Sequence, residues 1–596
     1  MRKILLLFAM FMGFSFLAIS QTRTITGTVL DETGAPVPFA TVAIKGTSFG
    51  VSADDEGQFS IQAEPSATLV VSATGFIAKE VAASSSPLTI MLVKSGSDVI
   101  EEVVVTATGQ RVNKKNLGYA ATVVNADRLV QAAPTNVATA LSGKVPGLQI
   151  NVTGSGVNPN VSVVLRGYRS ITGNNQALIV LDNVIVPNEI LGNLNPNDIE
   201  NITVLNGSSA SALYGTRASN GALIVTTKKG IPGRTEVRVA QTVQVSTVGF
   251  FPKIQKKFGS GATGYVKIYE PYENQQYGPA FDGSLVDFGE FPLPGGAMQQ
   301  VPYAFDSKHG KLNFWRPDVS SQTDFSLANT SNKGRFYFSG QYVANKGLIE
   351  GDSYKRSTVS LSGNQKIYEN LSLDYSVRYV QNYTRQATSG GTMYDLILNT
   401  PGHAPITTYR NWQRDSFAMP DYYYNAYYNN PYFIKDNNRS DARNEYLVGN
   451  LNLKWSPYQW WDLIGRVGMT SRNYSSKSWT GKYAYSTYAK DNSHGSYKKS
   501  DIQGSVSDNM FYTNTLVGDF QSVFTKKNIE DWDFKLTLGT QLIQDDSKNL
   551  SAGITGLALP DIYNLSNQIN PPSAGESISK SRTIGVYGDA YITYRR

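Results

Sequence analysis

Residues 141–171 read LSGKVPGLQINVTGSGVNPNVSVVLRGYRSI, 177–186 read ALIVLDNVIV, and 198–230 read DIENITVLNGSSASALYGTRASNGALIVTTKKG. These blocks describe a compact α/β unit. Val161, Val163 and Leu165 alternate with Ser162 and Val164 before Arg166-Gly167, as in a strand. Residues 178–181 are apolar throughout, which predicts a strand buried on both faces. Residues 137–141 and 208–214 permit helices, the second ending at Gly215, and 222–227 predict a further strand.

Upstream, residues 24–93 predict a small β-sandwich. Ile25, Gly27 and Val29 alternate with Thr24, Thr26 and Thr28, and turn signals follow at 31–34 and 54–57. A linker at Ser95-Gly96-Ser97 leads into Glu102, Val103, Val104, Val105, Thr106 and Ala107. Such a β-branched run is either an ordinary strand of the next domain or a free strand that adds to a partner's sheet edge. At the N-terminus, Met1-Arg2-Lys3, an apolar stretch over 4–19 and small residues at Ala18 and Ser20 read as a secretion signal cut before Gln21.

Downstream of residue 233 the pattern changes to period two. Leu371, Leu373, Tyr375, Val377 and Tyr379 alternate with Ser372, Asp374, Ser376 and Arg378; Leu447, Gly449, Leu451, Leu453 and Trp455 alternate with Asn450, Asn452 and Lys454. One apolar and one polar face fit a lipid-facing barrel with a wet lumen, and equally a half-buried soluble sandwich. Connection lengths favour the barrel. Short turns at 331–334, 368–370, 456–460 and 526–531 alternate with long connections near 249–321, 381–444, 471–513 and 544–581. The count is about ten strands, the last over 583–594, against about 22 in plugged outer-membrane transporters. On this reading the chain is a fragment or the product of an interrupted gene, and its barrel is incomplete.

Composition narrows the function classes. The 596 residues include no Cys and three His, which removes thiol chemistry, disulfides and a lipoprotein-type cleavage site. No His pair has zinc-ligand spacing. Net charge is +7, but no basic run exceeds two residues, so nucleic acid is not an expected partner. Gly46 to Gly50 fits G-x-S-x-G, but it lies in a turn between strands, without the strand–turn–helix of a nucleophile elbow. Gly259 to Gly264 fits G-x-G-x-x-G in a long loop without a βαβ unit. No metal, cofactor or catalytic constellation is expected, and an exported hydrolase is the poorest fit.

Residues 27–61, GTVLDETGAPVPFATVAIKGTSFGVSADDEGQFSI, resemble the carboxypeptidase-regulatory-like domain, an immunoglobulin-like sandwich. The blocks over 141–230 resemble the plug of SusC-like (SusC/RagA type) TonB-dependent outer-membrane receptors, and 208–230 is close to a family signature. The resemblance implies a mainly β architecture: signal peptide 1–20, sandwich 21–94, linker 95–109, α/β plug 110–232 and antiparallel transmembrane β-barrel 233–596. It also implies that Glu102 to Ala107 resemble a TonB box, with a plain plug strand as the other reading. The expected plug-motif residues are Arg166, Gly167, Tyr214, Gly215, Arg217, Asn220 and Gly221.

The family further implies TonB, a SusD-like surface lipoprotein, outer-membrane lipid and an oligosaccharide or peptide ligand as partners. A non-transporting surface binding or adhesion protein is the alternative function. Tyr422, Tyr423, Tyr424, Tyr427 and Tyr428, in DYYYNAYYNNPYF over 421–433, either stack on such a ligand, or pack within their own loop or against a surface partner.

Overall fold

The structure is a computed structural model. It describes residues 23–594 except 46, 48, 65–66, 74–75, 77, 84–86, 94–102, 106–110, 114–120, 132–135, 154–155, 231–234, 263–266, 494–497 and 530–531. The expected signal peptide, and Gly46 and Ser48 of the G-x-S-x-G run, lie outside the described residues. The chain divides into two compact units, 1–102 and 103–596.

The first unit is the expected sandwich. Arg23–Leu30 lies between Gln58–Ala63, antiparallel, and Leu88–Met91, parallel. A four-stranded sheet runs Gly50–Ser52, Thr41–Ile44, Thr68–Ser72, Lys79–Ala82. The alternation read from the sequence sends Ile25 and Val29 inward to meet Ile61, Leu69, Val71 and Ile90 in one apolar core. Both acidic turns close on themselves. Asp31 Oδ1 accepts the Thr33 and Ala35 N–H groups at 2.9 Å each, and Asp54 Oδ1 accepts those of Glu56 and Gln58 at 3.0 and 2.7 Å. These carboxylates are turn-forming groups.

In the second unit, a five-stranded mixed sheet runs in the order Ala121–Asn125, Ile199–Leu205, Ala222–Thr227, Leu178–Leu181, Val184–Val186. Leu178–Leu181 pairs parallel with Ala222–Thr227, and apolar clusters cover both faces of the sheet, as its unbroken apolar sequence requires. The short helix Val137–Ala140 starts where Asn136 Oδ1 accepts the Ala138 N–H at 2.8 Å. A hairpin of Leu148–Thr153 and Asn160–Leu165 stands beside the sheet.

Around this plug unit lies a ten-stranded antiparallel sheet among the described residues, in which each strand pairs with its neighbours in chain order. Its strands are β1 (Glu236–Ser246), β2 (Asp318–Thr330), β3 (Gly334–Lys346), β4 (Ser353–Tyr368), β5 (Leu371–Ala387), β6 (Asn438–Tyr458), β7 (Trp461–Thr480), β8 (Ser505–Ile529), β9 (Trp532–Thr555) and β10 (Ser573–Tyr594). The strand count and the turn phase match the sequence reading. The bounds do not, because several strands run 20 residues or more and carry on past the apolar stretch. β10 starts at Ser573 rather than near 583, and the last long connection shortens to 556–572.

The two faces of this sheet differ as lipid and lumen would require. Val377, Tyr379, Leu451, Leu453, Trp455, Phe534, Leu536 and Leu538 are exposed on the outer face, while Arg378, Asn450 and Thr537 on the other are buried against the plug side. At the short turns Tyr458, Trp460, Trp461 and Phe524 form a stacked aromatic row with ring centroids 5.5–6.3 Å apart. Such a row suits a membrane–water interface. Among the described residues no helix is long and apolar enough to cross a membrane.

Candidate functional site: the plug loop and its seat in the wall

Strand Asn160–Leu165 ends in a sharp reversal. Arg166 and Gly167 both take left-handed backbone, with φ of 61° and 87°, which throws the chain out of the sheet into the loop 168–176. One side chain organises that loop. Asn175 Oδ1 accepts the Arg169 and Ser170 N–H groups at 2.8 Å each, and its Nδ2 donates to the Ser170 and Gly173 carbonyls at 2.7 and 3.2 Å. The loop is therefore exposed but held. It presents Tyr168 and Ile171, the latter fully exposed. Large apolar groups on a rigid exposed loop are an observation that asks for a partner.

The other plug-motif residues form the base of this loop. Helix α1 (Gly207–Tyr214) stops at Gly215, where φ is 65°, and Tyr214 is buried beneath it. Asn220 Nδ2 donates to the Asn174 carbonyl at 2.7 Å, and the Arg169 guanidinium donates to the Ser219 carbonyl. Gly221, at φ 94°, leaves no room for a side chain, since a Cβ there would stand 2.5 Å from Leu165 Cδ2. Arg217 pairs with Asp545 of β9 and ties the base to the wall. Arg166, Gly167, Asn220 and Gly221 thus meet at this loop, at the end of the plug away from the short turns, while Tyr214 and Gly215 end the helix and Arg217 reaches the wall. The opposite end, Asp182-Asn183, lies beside Asp374 and Asp462 near those turns.

A second contact surface was not legible in the sequence. The segment 192–198 is clamped to β3–β5. Asn193 Oδ1 accepts from the Tyr354 hydroxyl and Asn382 Nδ2 at 3.0 Å each; Gln341 Nε2 donates to Asn195 Oδ1 at 2.8 Å; Arg356 Nη1 donates to the Gly192 carbonyl at 3.0 Å. Asp198 is buried there and burial raises its pKa, with Arg378 acting in the opposite sense. Only the Asn-Leu-Asn-Pro-Asn-Asp run itself hinted that this stretch is polar where neighbouring stretches are apolar.

The tyrosine loop resolves towards self-packing. Tyr423 and Tyr424 are buried; Tyr424 stacks on Phe288 at 4.1 Å, and Tyr409 meets Tyr423 edge-on at 5.2 Å. As ligand contacts these two are corrected: their faces are occupied by the core shared by the connections 247–317 and 388–437. Tyr422, Tyr427 and Tyr428 are half-buried, and Tyr427 donates to Glu273 Oε2 at 2.7 Å. Of the TonB-box candidates, Val103, Val104 and Val105 form a strand paired antiparallel with Arg111–Asn113; Glu102, Thr106 and Ala107 lie outside the described residues. Of the G-x-G-x-x-G run, Gly261 packs closely on Gly278, and Ser260 Oγ donates to the Glu270 carbonyl at 2.6 Å. Among the described residues no three or more acidic, His or Cys side chains gather as metal ligands.

Comparison with known proteins gives the same parts in the same order. Residues 25–105 match the CarboxypepD_reg-like domain and 113–222 the TonB-dependent Receptor Plug Domain. The chain is 27% identical over 480 residues to TonB-dependent receptor SusC of Bacteroides thetaiotaomicron, covering 76% of this chain and 45% of that protein. Over this length the chain is similar to SusC-like TonB-dependent receptors. TonB-dependent receptor P26 of Formosa agariphila is 27% identical over 444 residues, or 74% of this chain and 42% of its own length. The chain thus spans less than half the length of these curated relatives. Its fold superposes on the RagAB peptide importer in the 'open-open' state with a TM-score of 0.64 at 17% identity, over 83% of this chain and 55% of that one. In the 'closed-closed' state the TM-score is 0.60, over 80% and 54%. These curated relatives are named TonB-dependent receptors.

Proposed function

We propose that this receptor serves TonB-driven import of an oligosaccharide or a peptide across the outer membrane, with a SusD-type surface lipoprotein as its partner. The observation that carries the reading is the seating of the plug. A rigid loop with Tyr168 and Ile171 exposed faces the side of the long connections, while the strand Val103–Val105 precedes the plug. One end is suited to meet a solute and the other to be pulled. The resemblance to a peptide importer and to SusC supports the same solute classes. Export by the signal at 1–20, cleavage before Gln21, and the parts 21–94, 95–109, 110–232 and 233–596 belong to this reading.

In coupling, Val103 to Val105 would leave their hairpin and add to the edge of a TonB sheet, which needs free backbone N–H donors. Val104→Pro removes one donor and fixes φ near −65°. In cells expressing the receptor, this variant is expected to abolish energised uptake while surface binding of the solute persists. Normal uptake by the variant would move the TonB box elsewhere. A native receptor that binds solute but never takes it up would favour the surface-binding alternative.

A further inference from the structure

Beside the plug end at Asp182-Asn183 lies a cavity of about 480 Å³, walled by Ile224 to Thr226 and Lys229 of the plug and by β3–β9 near their short turns. Eight ionisable side chains of opposite signs line it, and their pairing is unequal. Lys229 pairs with Asp374 at 2.8 Å and Lys454 with Asp462 at 2.8 Å. Asp182 is occupied by the Thr227 N–H and hydroxyl at 2.9 and 2.7 Å. The remaining three lining charges are the cations Arg335, Arg466 and Lys535, the last of them within the field of Asp589 and Asp462. Arg466 is buried; its approach to Asp519 is 3.6 Å, longer than a hydrogen bond, and its Nε has no partner. A buried guanidinium with an unused donor is costly unless an acceptor completes it.

Strand register places these groups in order. Arg335, Asn364, Asp374, Asn452, Arg466 and Asp519 are successive cross-strand partners from β3 to β8, so they form one row on the plug-facing side. With strands about 4.8 Å apart, Arg335 and Arg466 are on the order of 20 Å from each other. One carboxylate cannot touch both. An oligomer with a carboxylate on each unit can meet them in turn, with the Asn364 and Asn452 amides between and the intervening Asp374 neutralised by Lys229.

We infer that this cavity is a binding station for a solute carrying several carboxylates, which deepens the import reading and rests on it. The cations Arg335, Arg466 and Lys535 are its contacts. Charge-assisted hydrogen bonds from guanidinium and ammonium groups give the preference over neutral solutes of equal size. Acidic oligosaccharides and acidic peptides share this chemistry, and the test separates them.

The test is calorimetric binding to the receptor purified in detergent at low salt. Trigalacturonate and maltotriose form one arm, triglutamate and triglutamine the other. At least one anion is expected to bind tenfold or more tightly than its neutral counterpart, and the arm in which it does names the source. Arg335→Gln combined with Lys535→Gln, both at partly exposed positions, is expected to erase that preference while the thermal midpoint holds. Arg466→Gln serves as an independent second variant. Equal binding of anionic and neutral probes, or an unchanged preference in both variants, overturns the inference. Energised uptake is measured separately: its absence alongside an intact charge preference would fault the import reading and leave the station standing.

Discussion

The Tyr354 hydroxyl on β4 donates to Asn193 Oδ1 of the plug across 3.0 Å, and Asn382 Nδ2 on β5 donates to the same oxygen at the same distance. One plug side chain thus satisfies two buried donors of the wall. Asn193→Ala orphans both, at a cost of about 1–3 kcal/mol for each unsatisfied group. The plug is expected to exchange its amide hydrogens faster in this variant while the sheet strands do not. Unchanged exchange over 188–205 would show that the clamp does not hold the plug.

Gly221 is expected to tolerate no side chain. Its φ of 94° strains any L residue, and a Cβ would also stand 2.9 Å from the Leu205 carbonyl oxygen. Gly221→Ala should therefore destabilise the plug by about 1–3 kcal/mol, read as a lowered urea midpoint. A midpoint equal to that of the native protein would mean that the loop base is plastic.

The loop 168–176 offers a test of recognition that leaves folding alone. Tyr168 and Ile171 are exposed, and Asn175 rather than either of them holds the loop. Tyr168→Ala with Ile171→Ala is expected to weaken solute binding tenfold or more at an unchanged thermal midpoint. Asn175→Ala should weaken binding too, through loss of the loop's order. If the double variant binds as the native receptor does, the loop is not the contact.

His403 gives the long connections a pH dependence. Its ring is boxed by Phe288, Tyr303, Phe281 and Tyr269 at 5.0–5.9 Å, neither ring nitrogen has a hydrogen-bond partner, and burial lowers its pKa to about 4. The folded pKa lies below the unfolded one, near 6.5. The unfolded connection therefore binds the proton first, and stability falls as pH drops from about 7 towards 4, then levels off. Proteolytic opening of 388–437 should accelerate over that window in the native receptor and lose most of its pH dependence in His403→Phe. Equal acceleration in both would place the titration on another group.

The sequence by itself determined the mainly β fold class, because that reading rests on local periodicity. Period-two alternation from Leu371 to Tyr379 depends only on which face meets lipid, and the apolar run 178–181 only on burial from both sides. Turn signals gave the phase of the ten strands but not their ends, since the strands run on past the stretches with an apolar face. The plug motif was legible as residue types, and Arg166-Gly167 marked the end of a strand. That Asn220 reaches Asn174 of the loop and Arg217 reaches Asp545 of the wall was decided only by tertiary structure.

The same holds for the tyrosine loop and the polar clamp. A Tyr-Asn run fits a sugar-binding face and a loop core equally well, and only the arrival of Phe288 from another connection filled the face of Tyr424. Asn193 and Asn195 meet Tyr354 and Gln341 from strands some 150 residues away. No local pattern encodes such a contact, because a buried hydrogen bond is specified by the geometry of both partners and each side chain alone reads as ordinary polar surface.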